Sequence, residues 1–262
     1  MKKLGLYLLS YKRPVFFKEA LDSLLKQDYD DYEIIVSENS PDESVISVLN
    51  DYLPHPKIKV IRRTPSLASL DHFNTIIRNC SDYKYVMLFH DDDILLPAAA
   101  KDITSKLDQN PDAVAVACNA FIIKNTTVTE LLLCPRMKQD YTISSQIQLM
   151  RRYFLRRLDH PPFPSYVYRT HFIKSLTLET KDGGKYSDAA FLIKLIQSGK
   201  FIWLHQPLMH YRIHQSNDSA QHSLGDITKL CWFCIKTQPV AIPILFFYFG
   251  KQVIKKSLTI FR

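Results

Sequence analysis

The segment YVMLFHDDDILLP, residues 85–97, decides the fold of this 262-residue chain. The apolar run Tyr85–Phe89 predicts a buried strand, and Pro97 stands where a following helix would begin. Between them lie His90 and the aspartates 91–93. Three adjacent carboxylates repel one another, so their position at the end of an apolar strand indicates a bound cation. Oxygen ligands favour Mg²⁺ or Mn²⁺ over zinc; a solvated acidic start of a helix is the alternative interpretation.

Outward from this segment, strand-like and helix-like stretches alternate. The predicted strands cover 4–9, 32–37, 58–61, 85–89 and 113–118, and the helices between them include 15–27 and 68–80. This alternation predicts right-handed βαβ units and a mainly parallel sheet flanked by helices. Polar clusters at 10–13, 38–42 and 90–93 each follow a strand. Ligands bind at the carboxyl ends of such strands, so the three clusters indicate one site.

Composition narrows the function classes. Apolar residues make up 46% and charged residues 23%, which excludes an intrinsically disordered chain. With only six glycines, the chain has neither a G-x-G-x-x-G fingerprint nor a Walker A loop. The net charge is +8, and basic residues concentrate in 136–175 and 226–262. These zones favour nucleic acid, an anionic membrane or a phosphorylated substrate as partner, or else form solvated helix faces.

Cysteine usage and the N-terminus indicate the compartment. Five cysteines are an odd number, and most have apolar neighbours, which is typical of buried thiols in a reducing environment. The spacing Cys231-x-x-Cys234 lacks a second pair that would complete a zinc site, and its aromatic interior favours packing. No signal peptide is recognised at the N-terminus, so the sequence predicts a cytoplasmic protein.

Several motifs in a fixed order resemble inverting glycosyltransferases of family 2, which have the GT-A fold. They are LLSYKRP at 8–14, EIIVSENS at 33–40, the segment 85–97, Ser187-Asp188, and YRIH at 211–214. The resemblance covers about residues 3–216. It implies an α/β, Rossmann-like GT-A fold with a mainly parallel central sheet and a C-terminal helical extension.

The resemblance also implies a division of the chain. Residues 1–225 would form the glycosyltransferase domain, with 1–118 as its nucleotide-sugar half and 119–225 as its acceptor half. Beyond the resemblance, residues 226–262 interleave Lys and Arg with aromatic side chains. They are expected to form a basic, aromatic, helical tail, which either contacts a membrane or packs on the domain with its charged end in solvent.

Roles for individual residues follow from the same resemblance. The residues expected to bind the nucleotide sugar are Ser10, Tyr11, Arg13, Glu38, Asp71, Asp91 and Asp92. Asp92, Asp93 and His214 are the expected ligands of Mn²⁺ or Mg²⁺, and Asp188 is the expected general base. The chain departs from the family pattern at three places: His90 replaces the first aspartate of D-x-D, Glu38 replaces an aspartate, and Ser187 replaces the glutamate of Glu-Asp.

The chemistry of the family agrees with these roles. Inverting transfer needs one carboxylate to take the proton of an acceptor hydroxyl, and positive charge to stabilise the departing nucleoside diphosphate. The resemblance implies a UDP- or dTDP-sugar donor and a lipid-linked, lipopolysaccharide, O-antigen or capsule glycan acceptor. It further implies an anionic membrane surface as partner, at the inner face of the cytoplasmic membrane, and no nucleic acid.

Three other function classes stay open at this point. A nucleotidyltransferase shares a similar sheet and metal chemistry, although its glycine-rich signature is missing here. A catalytically inactive transferase-like module would bind glycan or membrane without turnover. Nucleic-acid binding is favoured by charge alone and predicts affinity that falls steeply with salt.

Overall fold

A ten-stranded mixed sheet forms the centre of the protein in the computed structural model, which describes residues 2–124, 126–155, 159–214, 223–248 and 250. The strands are β1 (Leu4–Ser10), β2 (Tyr32–Glu38), β3 (Ile58–Arg62), β4 (Tyr85–His90), β5 (Ile94–Leu95), β6 (Ala113–Lys124), β7 (Thr127–Leu132), β8 (Tyr141–Ile143), β9 (Val167–Arg169) and β10 (Lys200–Ile213). The helices are α1 (Pro14–Leu25), α2 (Ser44–Leu49), α3 (Ser69–Asn79), α4 (Ala99–Gln109), α5 (Gln146–Phe154), α6 (Thr170–Ile173), α7 (Thr180–Gly183), α8 (Ser187–Leu195) and α9 (Leu224–Thr237). Short 3-10 turns extend several of the helices.

The first four long strands form the predicted parallel sheet. β1 lies between β2 and β4, and β3 lies outside β2, all in parallel register. Every residue of β1 is buried, as expected for a strand that helices cover on both faces. The predicted α/β fold class is confirmed here, and each strand of this half lies within one or two residues of its predicted bounds.

The second half of the sheet is mixed rather than mainly parallel. β9 lies between β4 and β6 and pairs antiparallel with both. β6 and β10 are parallel to each other, whereas β5, β7 and β8 pair antiparallel with one of them. β10 is one strand with a register shift around Pro207. The shift fits the missing N–H of proline, which cannot join the ladder.

Two apolar cores cover the two faces of the sheet. One packs α1, α2 and α4 against the strands, with Leu21, Leu49 and Ile103 among its members. The other includes residues of α3, α5, α8 and α9, with Phe191 and Leu230 among them. The candidate base therefore lies on a helix of the second core, opposite α1.

The buried Arg169 fastens the inserted strand β9 to its surroundings. Its Nε donates to the carbonyl of Ala113 at 2.7 Å, and its Nη2 donates to the carbonyl of Leu107 in the last turn of α4 at 2.6 Å. The guanidinium thus donates to one carbonyl at the start of β6 and to another in the last turn of α4, which also accepts the backbone N–H of Asn110. This joins the parallel half of the sheet to the mixed half.

The predicted C-terminal helical extension is present. α9 begins with a capping box in which Ser223 and Asp226 each accept a hydrogen bond from the other's backbone N–H, and residues 242–248 are also helical. Cys231 and Cys234 are buried in the second core, consistent with packing. Residues 249 and 251–262 of the predicted tail lie outside the described residues. None of the described helices combines the length and the apolar character needed to cross a membrane.

Candidate active site

The carboxyl ends of β1, β2 and β4 meet at one edge of the sheet. Leu9 lies opposite His90 in the β1–β4 register, and Ser10 lies opposite Glu38 in the β1–β2 register. The three polar clusters that the sequence placed after separate strands are therefore neighbours. This edge is the position at which open α/β sheets bind ligands.

The turn after β1 wraps around the first aspartate of the triplet. The backbone N–H of Tyr11 donates to Asp91 Oδ2 at 2.8 Å, and the N–H of Lys12 donates to Ser40 Oγ at 2.9 Å. Lys12 has a φ of 57°, in the left-handed region that non-glycine residues rarely occupy. Strained backbone of this kind is concentrated at ligand-binding turns.

Arg13 joins two carboxylates of the triplet. Its Nη2 lies 2.5 Å from Asp91 Oδ1, and its Nη1 lies 2.6 Å from Asp92 Oδ2. His214 Nε2 lies 3.0 Å from the same Asp92 oxygen. Burial acts to raise the pKa of Asp92, but His90, Arg13 and His214 outweigh it and hold that pKa below its ordinary value. Asp92 is therefore a carboxylate at neutral pH.

The third aspartate is held by a buried arginine of β10. The backbone N–H of Arg212 donates to Asp93 Oδ1 at 2.9 Å, and its Nε donates to the carbonyl of Asp92 at 2.7 Å. Arg212 also forms an ion pair with Glu19 of α1. The other oxygen of Asp93 is buried and has no hydrogen-bond partner among the described residues. Burial and the charge of Asp92 raise the pKa of Asp93 well above its ordinary range.

His90, Asp92 and Asp93 form a candidate metal site, since one ligand atom of each lies within 4.8 Å of the other two. The unpartnered Asp93 oxygen fits this assignment, because a cation would satisfy it and offset the repulsion between adjacent carboxylates. Two carboxylates suit Mg²⁺ or Mn²⁺. The sequence predicted Asp92 and Asp93 as ligands together with His214; His90 lies in this cluster, and His214 contacts the Asp92 carboxylate.

Two further polar side chains at this edge have buried oxygens without a hydrogen-bond partner among the described residues. Glu38 is fully buried, and its Oε1 accepts the N–H of Ser40 at 2.7 Å. Its Oε2 makes no hydrogen bond in the described structure and lies 3.9 Å from Arg62 Nε. The hydroxyl of Ser10, also fully buried, has no hydrogen-bond partner there either. Buried polar atoms are almost always satisfied, so a hydrogen-bonding ligand at this edge would explain both. Glu38 and Ser10 thus stay candidates for binding a nucleotide.

Asp188 lies in the first turn of α8, just after Gly184, which adopts a φ of 58°. Its Oδ1 accepts the N–H of Ala189 at 2.8 Å. Burial raises the pKa of Asp188 to about 6, although the hydrogen bond from Ala189 acts in the opposite direction. A half-buried carboxyl with a pKa near neutrality has the property that a general base requires.

An aromatic bridge relates Asp188 to the candidate metal site. The ring of Phe163 lies 6.5 Å from the ring of His90 and 6.2 Å from the ring of Phe191. Phe191 follows Asp188 by three residues on α8, so the two side chains lie on the same side of that helix. The base candidate and the metal candidate therefore flank one aromatic cluster.

One predicted site residue makes no contact with the aspartate triplet in the described structure. Asp71 is exposed in the first turn of α3, and no hydrogen bond or ion pair between described residues connects it to the aspartate triplet. Sequence reasoning in turn missed Glu19 and gave Arg212 no role. Arg212 stands within the YRIH motif, whereas nothing in the sequence around Glu19 indicates its partner.

Comparison with known proteins gives the family. The model of glycosyl transferase family 2 matches residues 7–173. A search of curated protein sequences found no match to this chain.

Solved structures give the fold. The S. aureus TarS fragment 1–349 in complex with UDP superimposes with a TM-score of 0.65 at 14% identity, over 89% of this chain and 65% of that fragment. The same fragment with UDP-GlcNAc gives 0.66 at 13% identity, over 89% of this chain and 66% of the fragment. The Pyrobaculum calidifontis mannosyltransferase PcManGT, in complex with GDP-Man and Mn²⁺, gives 0.58 at 16% identity, over 93% and 68%. This chain spans only 40% of the longer TarS structure.

With the family match covering well over half of its length, the chain belongs to glycosyl transferase family 2 and has the GT-A fold.

Proposed function

We propose that this chain is a metal-dependent inverting glycosyltransferase that moves a sugar from a UDP- or dTDP-sugar to a hydroxyl of a lipid-linked or surface-polysaccharide glycan. The observation that carries the proposal is the arrangement around Asp92. Its carboxylate lies between Arg13 and His214 and beside the buried Asp93, at the edge of the sheet where Glu38 and Ser10 have unsatisfied atoms. A nucleoside diphosphate would bring hydrogen-bonding groups and phosphate oxygens to this edge.

Residues of this chain accept the proton of the acceptor hydroxyl and hold the aspartates of the site in place. The Asp188 carboxylate takes the proton of the acceptor hydroxyl as that oxygen bonds to the anomeric carbon. The bond from the anomeric carbon to the phosphate oxygen breaks at the same time, and the nucleoside diphosphate leaves from the opposite face. Arg13 orients Asp91 and Asp92 toward each other, and Arg212 fixes Asp93.

His90, Asp92 and Asp93 would hold Mn²⁺ or Mg²⁺. When bound, such an ion neutralises the charge that develops on the diphosphate leaving group. His214, in contact with Asp92 Oδ2, orients that carboxylate. In metal sites, hydrogen bonds of this kind from a neighbouring residue hold a ligand in the orientation that the metal requires.

Nucleotides bound by the structural neighbours support the donor class. TarS has been solved with UDP and UDP-GlcNAc, and PcManGT with GDP-Man and Mn²⁺. A thermal-shift panel of UDP, GDP, dTDP and CMP, each with Mn²⁺, Mg²⁺ or EDTA, tests the proposal. We expect UDP or dTDP to raise the melting temperature only with a metal ion, because a ligand that binds the native state stabilises it by mass action. No shift with any nucleotide would instead favour an inactive binding module.

The pH dependence of donor turnover tests the base assignment. Since burial raises the pKa of Asp188 to about 6, the base is ionised above that pH and becomes protonated below it. We therefore expect kcat for UDP-sugar hydrolysis, with water as acceptor, to be flat above pH 7 and to fall about tenfold per unit below pH 6. The measurement uses saturating Mn²⁺ at each pH. A rate that rises as the pH falls below 6 would contradict the assignment.

The acceptor is proposed to lie on a membrane, because the C-terminal helices expose large apolar side chains. Trp232, Phe246 and Phe247 are 57%, 72% and 56% exposed. Lys236 lies over the ring of Trp232, and the sequence of 251–262 adds four basic residues and no acidic one. Aromatic and basic side chains together are typical of segments that lie in the interface of an anionic bilayer.

Vesicle binding tests the membrane contact. We expect the protein to sediment with vesicles of phosphatidylglycerol and phosphatidylcholine, and much less with phosphatidylcholine alone, because basic residues are attracted to anionic lipid. Phe246→Asp should reduce that binding at least tenfold without lowering the melting temperature, since the side chain is exposed. Val128→Asp, at an exposed site on β7, is the matched control. Equal sedimentation of the protein and Phe246→Asp would contradict the contact.

A further inference from the structure

A groove with a volume of about 540 Å³ runs between α3 and the segment 177–181, outside the metal site. Asp71, Asn74 and Arg78 line its α3 wall, and Glu179 and Lys181 line the other. The three α3 residues are spaced by three and four positions, so they lie on one face of the helix. The groove thus has a row of polar side chains along α3, and Ala68, Leu70 and Leu178 add apolar surface to its lining.

Asn74 fixes the width of this groove. Its Nδ2 donates to the carbonyl of Leu178 at 3.0 Å, and its Oδ1 accepts the N–H of Leu178 at 2.8 Å. Asn74 is buried, and it satisfies both backbone groups of one residue in the opposite wall. The two walls are therefore held together, and the groove is formed before any ligand binds.

The opposite wall is also fastened to the helix that carries Asp188. Lys194 of α8 lies 2.5 Å from Asp182 Oδ2 and 3.4 Å from Glu179 Oε2. Both acidic residues belong to the segment between Leu178 and α8. The wall of the groove and the base candidate consequently share one rigid support.

One end of the groove lies near the edge of the sheet at which the carboxyl ends of β1, β2 and β4 meet. Asn39, directly after β2, exchanges two hydrogen bonds with Leu67, at 3.0 and 2.8 Å. α3 starts two residues later, so Asp71 lies near this edge, and Arg78 lies about 10 Å further along the helix. The groove thus leads away from the site where the donor would bind.

The charges of the α3 wall are available to a ligand, whereas Lys181 and Glu179 of the other wall pair with each other at 3.1 Å. Neither the Asp71 carboxylate nor the Arg78 guanidinium forms an ion pair or hydrogen bond with any residue in the described part of the chain. A carboxylate accepts hydrogen bonds from hydroxyls, and a guanidinium donates to hydroxyl and carboxylate oxygens. A polar groove of this shape suits a chain of sugar rings better than an acyl chain.

We propose that this groove binds the acceptor glycan through the sugars that precede the reacting hydroxyl. The inference rests on the proposed transferase function and extends it. Asp71 contacts the acceptor sugar nearest the reaction centre, and Arg78 contacts a sugar farther along the chain. This assigns Asp71 to the acceptor, where the family resemblance alone implied the nucleotide sugar.

Binding of the intact protein to an array of bacterial surface oligosaccharides, with UDP and Mn²⁺ present, tests this proposal. The variants are Asp71→Asn and Arg78→Met, and the matched controls are Asp51→Asn and Arg151→Met, at exposed positions away from the groove. We expect the protein and both controls to retain a defined subset of glycans. Each groove variant should lose at least tenfold in apparent affinity for that subset. The KM for the donor in UDP-sugar hydrolysis should stay within twofold in both controls and should rise less than tenfold in Asp71→Asn.

Each other outcome overturns the proposal in a distinct way. Glycan binding that survives both groove changes places the acceptor elsewhere. An array on which the unchanged protein retains no glycan overturns the proposal that this groove binds a glycan. A donor KM that rises more than tenfold in Asp71→Asn returns that residue to the nucleotide sugar. Failure of the transferase function itself is recognised separately, because the metal-dependent nucleotide shift would then be missing in the unchanged protein.

Discussion

Replacement of Asp188 by asparagine should reduce sugar transfer by about 10²–10⁴-fold, the range that a positioned general base contributes. The amide has nearly the same shape as the carboxylate and can still accept the N–H of Ala189 through its oxygen. It cannot take a proton at neutral pH, so the acceptor oxygen attacks without losing its hydrogen. The measurement is nucleoside diphosphate release from a UDP-sugar with Mn²⁺, with water or glycan as acceptor.

The folded state should tolerate this change. Burial raises the pKa of Asp188 above its unfolded value, so the folded protein favours the neutral side chain, and ionisation of this group lowers stability as the pH rises toward 6. A neutral asparagine avoids that loss, and we expect an equal or higher free energy of unfolding at pH 7.5. Asp51→Asn, on the surface, is the control for charge removal. An Asp188→Asn enzyme with full turnover would mean that another group acts as the base.

Replacement of Asp92 by asparagine should abolish the metal-dependent part of nucleotide binding. The substitution keeps a side chain that can hydrogen bond to Arg13 and His214, but it removes the negative charge that both of them face. We expect the Mn²⁺ concentration for half-maximal donor turnover to rise at least about 100-fold. Even the loss of a residue that only hydrogen bonds to a metal ligand costs about 10–100-fold in metal affinity. Turnover at low Mn²⁺ should fall in proportion.

Calorimetric titration of UDP with Mn²⁺ or with EDTA provides the second measurement for Asp92. The variant should bind UDP equally weakly under both conditions, whereas the unchanged protein should bind it more tightly with the metal. Comparison with Asp91→Asn separates the roles of the two residues, because Asp91 is held by the N–H of Tyr11 and by Arg13 and lies outside the His90 cluster. Metal-dependent binding that persists in Asp92→Asn would contradict the assignment.

The parallel half of the fold could be predicted because its signals are local. A continuous apolar run such as Tyr85–Phe89 is typical of a parallel strand that helices cover on both faces of the sheet. The carboxyl edge then follows from topology, which is why the predicted clusters at 10–13, 38–42 and 90–93 meet in space. Family 2 membership, expected from the motifs and their order, is confirmed by the match over residues 7–173.

The mixed half could not be predicted because its strands depend on distant partners. β9 is three residues long and β5 only two, and their pairing is decided by contacts with β4, β6 and β10. β propensity depends on such packing more than on the residues themselves. The same holds for the ion pair between Arg212 and Glu19, since residues on separate elements become neighbours only in the folded sheet.

The ion pair and hydrogen bonds of Arg212 bear on how the chain acquires its site during folding. Arg212 reaches Glu19, Asp92 and Asp93 from positions 119–193 residues away in the sequence. Contacts between such distant segments form late, because closing long loops costs entropy before any contact repays it. The aspartate triplet would therefore acquire its full set of partners only when β10 docks. A fragment of residues 1–118 would contain all three aspartates but neither Arg212 nor His214, so splitting the chain there would yield two halves that each lack the assembled centre.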